Sequence, residues 1–184
     1  MNSKNVLQMV VAGVLCAVAM VIPMFMPKIV LGPMSFTLAS HVPVFLAMFI
    51  SPVLAVAVSI GATAGFFMTT PLIIALRALS HLVFAVMGAW LLQHYPRFLS
   101  NKWYLAGLSI LLAFVHAASE VLVVTPFFLG GMGFNTDQLA QGYTVSVIGL
   151  VGGGTFIHSL IDFFLAYLLW RAIGKAVPSV EKIR

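Results

Sequence analysis

Long apolar runs almost free of charged side chains follow one another along this chain, separated only by short polar or proline-containing breaks. That pattern leaves few ways to fold. About 20 apolar residues cross the roughly 30 Å hydrocarbon core of a bilayer as a helix. Of the 184 residues, 62% are hydrophobic and 7% charged, and the mean hydropathy is +1.13, far outside the range of soluble domains. The sequence therefore predicts an all-α membrane protein, a bundle of six transmembrane helices forming a single integral membrane domain over residues 1–184. Such a bundle uses up the length, so no soluble catalytic or ATP-binding domain fits. The single cysteine, Cys16, excludes an intramolecular disulfide.

The breaks place the spans. The first covers 6–25 and stops at Met26-Pro27-Lys28. Lys4 and the small residues Ala17-Val18-Ala19 give it some likeness to a signal peptide, but its length and the single basic residue favour a retained span. The second covers 35–50 and carries Pro43; Ser51-Pro52 separates it from a third over 52–68, so both are expected to be short or kinked. The fourth and fifth cover 72–92 and 103–124, with Trp103 and Tyr104 as interfacial anchors. Pro126 to Gln141 is the longest non-apolar connection. The last span covers 145–170, and its Gly152-Gly153-Gly154 triplet reads equally as a tight helix contact or as the true start of the span.

An even number of spans brings both termini to one side. Lys4, Arg97, Lys102, Arg171, Lys175, Lys182 and Arg184 then share that side, against Lys28 alone in the opposite loops. Basic loops stay in the cytoplasm, so the termini are expected there and the loops 26–37, 69–71 and 125–144 outside.

Against this background three ionisable pairs stand out, each spaced four apart: Arg77 with His81, His116 with Glu120, and His158 with Asp162. That spacing puts both members on one helix face. Ionisable side chains are costly in lipid and face an interior or cavity. At about 1.5 Å of rise per residue, Arg77 and Glu120 fall at matching depth in the outer third, with His81 and His116 one turn deeper. His158 joins the outer group if the sixth span begins after the glycine triplet; if it begins at Val145, His158 and Asp162 lie too deep. His41 also falls near the outer third. The expectation is a pocket open to the outside between spans four, five and six, with Arg77, His81, His116, Glu120 and His158 binding substrate and Asp162 orienting His158 or tying helices together.

Other readings of these residues stay open. Arg77 and Glu120 form a purely structural ion pair in one of them. In another, His-x-x-x-Glu and His-x-x-x-Asp supply metal ligands, as in a small intramembrane metal transporter or membrane enzyme. Arg77 beside them disfavours a cation, so no metal and no cofactor is expected. No nucleophile motif or phosphate-binding loop is present, and Ser80 and Ser159, adjacent to His81 and His158 in sequence, point about 100° away from them on a helix.

The stretches Ser35-Phe36-Thr37-Leu38-Ala39-Ser40-His41, Ile50-Ser51-Pro52 and Arg77-Ala78-Leu79-Ser80-His81, together with small residues along the first span, resemble the substrate-binding S-component of energy-coupling factor (ECF) vitamin transporters. The resemblance covers essentially the whole chain and is strongest to niacin-type members. It implies a bacterial-type, multi-pass plasma-membrane protein without ATPase activity of its own. Such a protein captures a small water-soluble vitamin at the outer face, associates with a transmembrane coupling protein and two cytoplasmic ATPases, and reorients to release its cargo. The likeness of the second- and fourth-span stretches makes nicotinate the first choice, with pyridoxine or hydroxymethylpyrimidine, or pantothenate, next. The resemblance further implies a lid made by Phe36 and Thr37 and by the loop near Asn135 and Tyr143. It also implies a docking face for the coupling protein on the first span, at Ala12, Gly13, Cys16, Ala17 and Ala19. Small residues at such spacing let helices approach closely in any case.

Overall fold

The computed structural model describes residues 3–31 and 34–176; Lys182 and Arg184 of the basic C-terminal segment lie outside them. Of the described residues, 85% are helical. Helix α1 (Ser3–Phe25) leads into a hairpin of β1 (Lys28–Leu31) and β2 (Met34–Thr37). Then follow α2 (Val42–Ile50), α3 (Pro52–Thr69), α4 (Leu72–His94), a short 3-10 turn, α5 (Lys102–Leu129), the short α6 (Thr136–Ala140), a π-helical stretch Thr144–Gly153 and α7 (Gly154–Ala176). Five helices among the described residues are long and apolar enough to cross a membrane: α1, α3, α4, α5, and the π stretch continuous with α7.

The segment expected as a second span is different. Residues Met34–Thr37 pair antiparallel with Lys28–Leu31, Phe36 facing Ile29 and Thr37 facing Lys28. The helix starts only at Val42, fixed by Pro43 in its first turn. Nine helical residues reach about 14 Å, less than half of a bilayer core, and all nine are buried. Helix α2 is thus an internal plug. Ser51 ends it, accepts from Leu54 N at 3.2 Å, and starts α3 at Pro52.

Two further expectations are corrected. Helix α5 continues through Pro126 to Leu129. Proline near a helix end forfeits a single backbone bond, and Thr125 Oγ1 donates to Val121 O at 2.7 Å there. The sixth span does not restart after the glycine triplet, since helix runs unbroken over 33 residues from Thr144 to Ala176. At no more than about 50 Å it is longer than a bilayer core is thick, which leaves room for the extra turns ahead of Gly154. His158 and Asp162 therefore reach the other polar groups even though the helix begins at Thr144.

The small residues of α1 serve more than one contact. Ala19 is buried, Ala12 and Cys16 are half-buried against the core, and Gly13 and Ala17 are exposed. Cys16 Sγ donates to Ala57 O at 3.4 Å, and a Cβ on Gly61 would lie 3.2 Å from its side chain. A Cβ on Gly65 would lie 2.6 Å from Met20 O, a backbone atom. Gly61 and Gly65, four apart on α3, thus provide the close helix crossing, and the matching groove on α1 is Cys16 and Met20.

Packing divides along the bundle axis. One apolar cluster, with Met34, Phe66, Ile73, Ile74, Val124, Val147 and Val151, lies at the hairpin end. A larger one surrounds α2 and reaches Leu92, Leu108 and Trp170 at the opposite end, where Phe49 packs on Trp170 at 5.9 Å between ring centroids. The start of α1 and the end of α7 both lie at that opposite end. Between the two apolar zones is a layer of buried polar side chains.

Candidate functional site

Four elements supply that layer. Arg77 and His81 come from α4, His116 and Glu120 from α5, Thr155, His158 and Asp162 from α7, and Ser40 and His41 from the turn between β2 and α2. The four-residue spacing turns each sequence pair inward from its helix. Arg77, His81, His116, Glu120, His41 and Asp162 are all buried, none more than 5% exposed.

Glu120 is the hub, and its two oxygens have different neighbours. Arg77 donates to Oε2 from Nε at 3.0 Å and from Nη2 at 2.7 Å. The Thr155 hydroxyl donates to the same oxygen. Oε1 faces the histidines: His116 Nε2 at 3.3 Å and His81 Nε2 at 3.5 Å. Charge-assisted bonds to Oε2 hold the carboxylate in place while Oε1 looks into the imidazole cluster.

His41 sits at the centre of that cluster. Its ring centroid lies 4.5 Å from His81, 4.6 Å from His116 and 4.8 Å from His158. Asp162 Oδ2 anchors it, accepting from the backbone N of His41 at 3.0 Å and lying 2.9 Å from Nδ1. The same oxygen is 3.2 Å from His158 Nε2, which also contacts Ser40 Oγ at 3.2 Å. Asp162 thus orients two histidines and ties α7 to the start of α2.

Arg77, His81, Glu120 and His158 line one cavity with Thr155, Ser40, His41 and the strand residues Ser35, Phe36 and Thr37. His116 lies just behind them, its ring 4.8 Å from His81. Phe36 closes the hairpin side, its ring 5.0 Å from that of His158. It rests against Gly154, where a Cβ would come within 2.7 Å of the ring. Of the glycine triplet, Gly154 is thus the contact surface for the hairpin, while Gly152 faces Val121 of α5. The cavity measures about 20 Å³, the space of a single water molecule.

Asn135 and Tyr143 lie elsewhere. Asn135 caps α6 in a reciprocal pair with Gln138. The Tyr143 hydroxyl shares a 2.8 Å hydrogen bond with Thr125, and its ring packs on Phe128. Tyr143 thus braces the hairpin end of α5 against the π stretch while Asn135 fixes the start of α6, and neither is among the residues lining the cavity. His41, Ser40 and Thr155 are the site residues that sequence reasoning did not select. His41 meets Asp162 across 121 positions, a pairing no local spacing reveals; only its depth, near the outer third, was legible in the sequence.

No family model matches the chain, and no solved structure matches it significantly. Among curated proteins, the niacin transporter NiaX of Lactococcus lactis subsp. cremoris (strain MG1363) is 41% identical over 179 residues, covering 96% of this chain and 79% of the relative. With identity of that extent and a bundle of membrane-length helices around a buried polar layer, the chain belongs to the niacin-type S-components of ECF vitamin transporters, multi-pass plasma-membrane transport proteins that are not enzymes.

Proposed function

We propose that this protein captures nicotinate at the outer face of the membrane, in the cavity between α4, α5, α7 and the hairpin. The observation that carries this reading is a buried guanidinium set beside a cluster of imidazoles and closed by one aromatic ring. The ligand carboxylate shares Arg77 with Glu120, since a planar guanidinium suits paired carboxylate oxygens. The pyridine ring lies between Phe36 and the histidine rings, and its nitrogen accepts from an imidazole N–H. The name of the 41%-identical relative supports the same ligand. Pyridoxine, hydroxymethylpyrimidine and pantothenate rank lower, because the first two make no use of Arg77 and the last brings no ring.

A cavity of about 20 Å³ is far below the roughly 300 Å³ at which organic ligand sites begin. The present arrangement is on this reading the closed form, and admission requires Phe36 and Thr37 to lift. Delivery is then by reorientation with a coupling protein and two ATPases. Docking falls to the exposed side of α1, where Gly13 and Ala17 lie beside Val10, Val14 and Val21. The distribution of Arg97, Lys102, Arg171 and Lys175 favours a cytoplasmic position for the termini.

Calorimetry on the purified protein with nicotinate and with nicotinamide tests the ligand. The amide has the same ring without the charge. Preference for nicotinate by tenfold or more, lost in Arg77→Ala, is expected; equal affinity for acid and amide would defeat the assignment.

A further inference from the structure

We infer that His41, His81, His116 and Glu120 form a binding site for one divalent transition-metal ion, of the zinc or cobalt class, at the floor of the cavity. One ligand atom from each of these four residues lies within 4.8 Å of all the others, and all four side chains are buried. A tetrahedral ion with bonds of about 2.0–2.1 Å holds its ligand atoms about 3.3 Å apart. His116 Nε2 and His81 Nε2 stand 3.3 and 3.5 Å from Glu120 Oε1, so two edges of that tetrahedron already have the right length.

The ring nitrogens point to the same conclusion. His116 Nε2, turned to Glu120 Oε1 at 3.3 Å, has no well-aligned hydrogen bond although its ring is fully buried. A buried nitrogen so placed carries a desolvation cost that a cation between it and the carboxylate removes. The outer groups are also those of a metal centre. Metal-binding histidines commonly donate their second N–H to a carboxylate, and Asp162 Oδ2 lies 2.9 Å from His41 Nδ1. With Nδ1 so engaged, Nε2 of His41 is the nitrogen left to coordinate. Arg77 and Thr155 hold Glu120 through Oε2, and Oε1 is the oxygen turned to the imidazoles.

Arg77 at first sight disfavours a cation here. The structure separates the two: the guanidinium lies across the carboxylate, on the oxygen away from the imidazoles. Counting Arg77 as positive and Glu120 and Asp162 as negative, the buried layer carries one net negative charge with its histidines neutral, which a divalent ion reverses at no increase in magnitude. Softer imidazole ligands with one carboxylate select zinc, cobalt, nickel or copper over magnesium or calcium. The ion would link α4 and α5 to the start of α2.

The test needs metal alone, with no vitamin present, and therefore stands independent of the ligand assignment. Cobalt(II) is titrated into the full-length detergent-purified protein with any affinity tag removed. One equivalent with the intense visible bands of tetrahedral cobalt, absent in His81→Gln and in His116→Gln, is expected. Asp162→Asn should weaken binding about 10- to 100-fold, and His94→Gln, at an exposed position, should not change it. X-ray absorption on the zinc-loaded wild type reads the same ligand set with no substitution: three imidazoles and one carboxylate oxygen. Absence of stoichiometric binding, a six-coordinate oxygen environment, or loss in His158→Gln with retention in His81→Gln would overturn the site.

Discussion

Removing both Arg77 and Glu120 separates the two roles that a buried ion pair can play. Arg77 Nη2 lies 2.7 Å from Glu120 Oε2, and both side chains are at most 5% exposed. Taking away one partner leaves the other as an uncompensated buried charge, which costs about 3–5 kcal/mol. For a chain of this size each kcal/mol moves the melting temperature by about 2–4 °C, so Arg77→Met or Glu120→Leu alone should lower it by about 6–20 °C. Replacing the pair by apolar groups of similar volume is neutral or stabilising in many buried settings. The double variant Arg77→Met/Glu120→Leu should therefore melt close to the wild type or above it. Nicotinate binding should not recover with stability. Hydrogen bonds to a charged group contribute about 1.5–3 kcal/mol, so the double variant should lose about ten- to 150-fold in affinity. The assay is a thermal melt of detergent-solubilised protein with calorimetry on the same samples. A double variant that binds nicotinate like the wild type would show the pair to be structural only and refute the site. Single variants as stable as the wild type would refute the energetic argument.

Gly65→Val places a side chain where a Cβ already lies 2.6 Å from Met20 O, and should cost about 1–3 kcal/mol, read as a lower melting temperature; Gly107→Ala in α5, with nothing within 4 Å of the added Cβ, should melt no lower than the wild type, and higher if the usual helix preference for alanine of about 0.5–1 kcal/mol is realised. Phe36→Ala should speed nicotinate release severalfold in stopped-flow or filter assays, in line with about 0.5–1.5 kcal/mol for an aromatic pair; an unchanged off-rate would remove Phe36 from the lid. Gly13→Leu, on the exposed face of α1, should leave nicotinate binding intact and reduce co-purification with coupling protein and ATPases; undiminished co-purification would place docking elsewhere.

Much of the site was legible because helical geometry is local. Arg77 with His81, and His116 with Glu120, had to share a face once their segments were helices, and rise per residue put the two pairs at matching depth. What escaped was what the chain makes across distance or against its periodicity. Lys28–Leu31 and Met34–Thr37 form a hairpin, but apolar residues of this kind before a proline-bearing run read as easily as helix. Pro126 looks like a stop, whereas a proline near a helix end in an apolar setting costs little. The π stretch ahead of Gly154 carries no signal in hydrophobic pattern alone, yet it helps set how far down α7 His158 and Asp162 lie. Thr155 and Ser40 are ordinary in sequence and acquire their roles only from Glu120 and His158.

The joint between β2 and α2 bears on timing. Leu38–His41 alone connects the strand that carries Phe36 to a helix whose every residue is buried, and within it Ala39 takes a backbone φ of +61°, a conformation alanine adopts at a cost. The strand cannot swing outward without pulling on His41, whose backbone and ring are both clasped by Asp162. On the proposed reading, lifting Phe36 moves gate and floor together, and release of the ligand is tied to the lifetime of that one clasp.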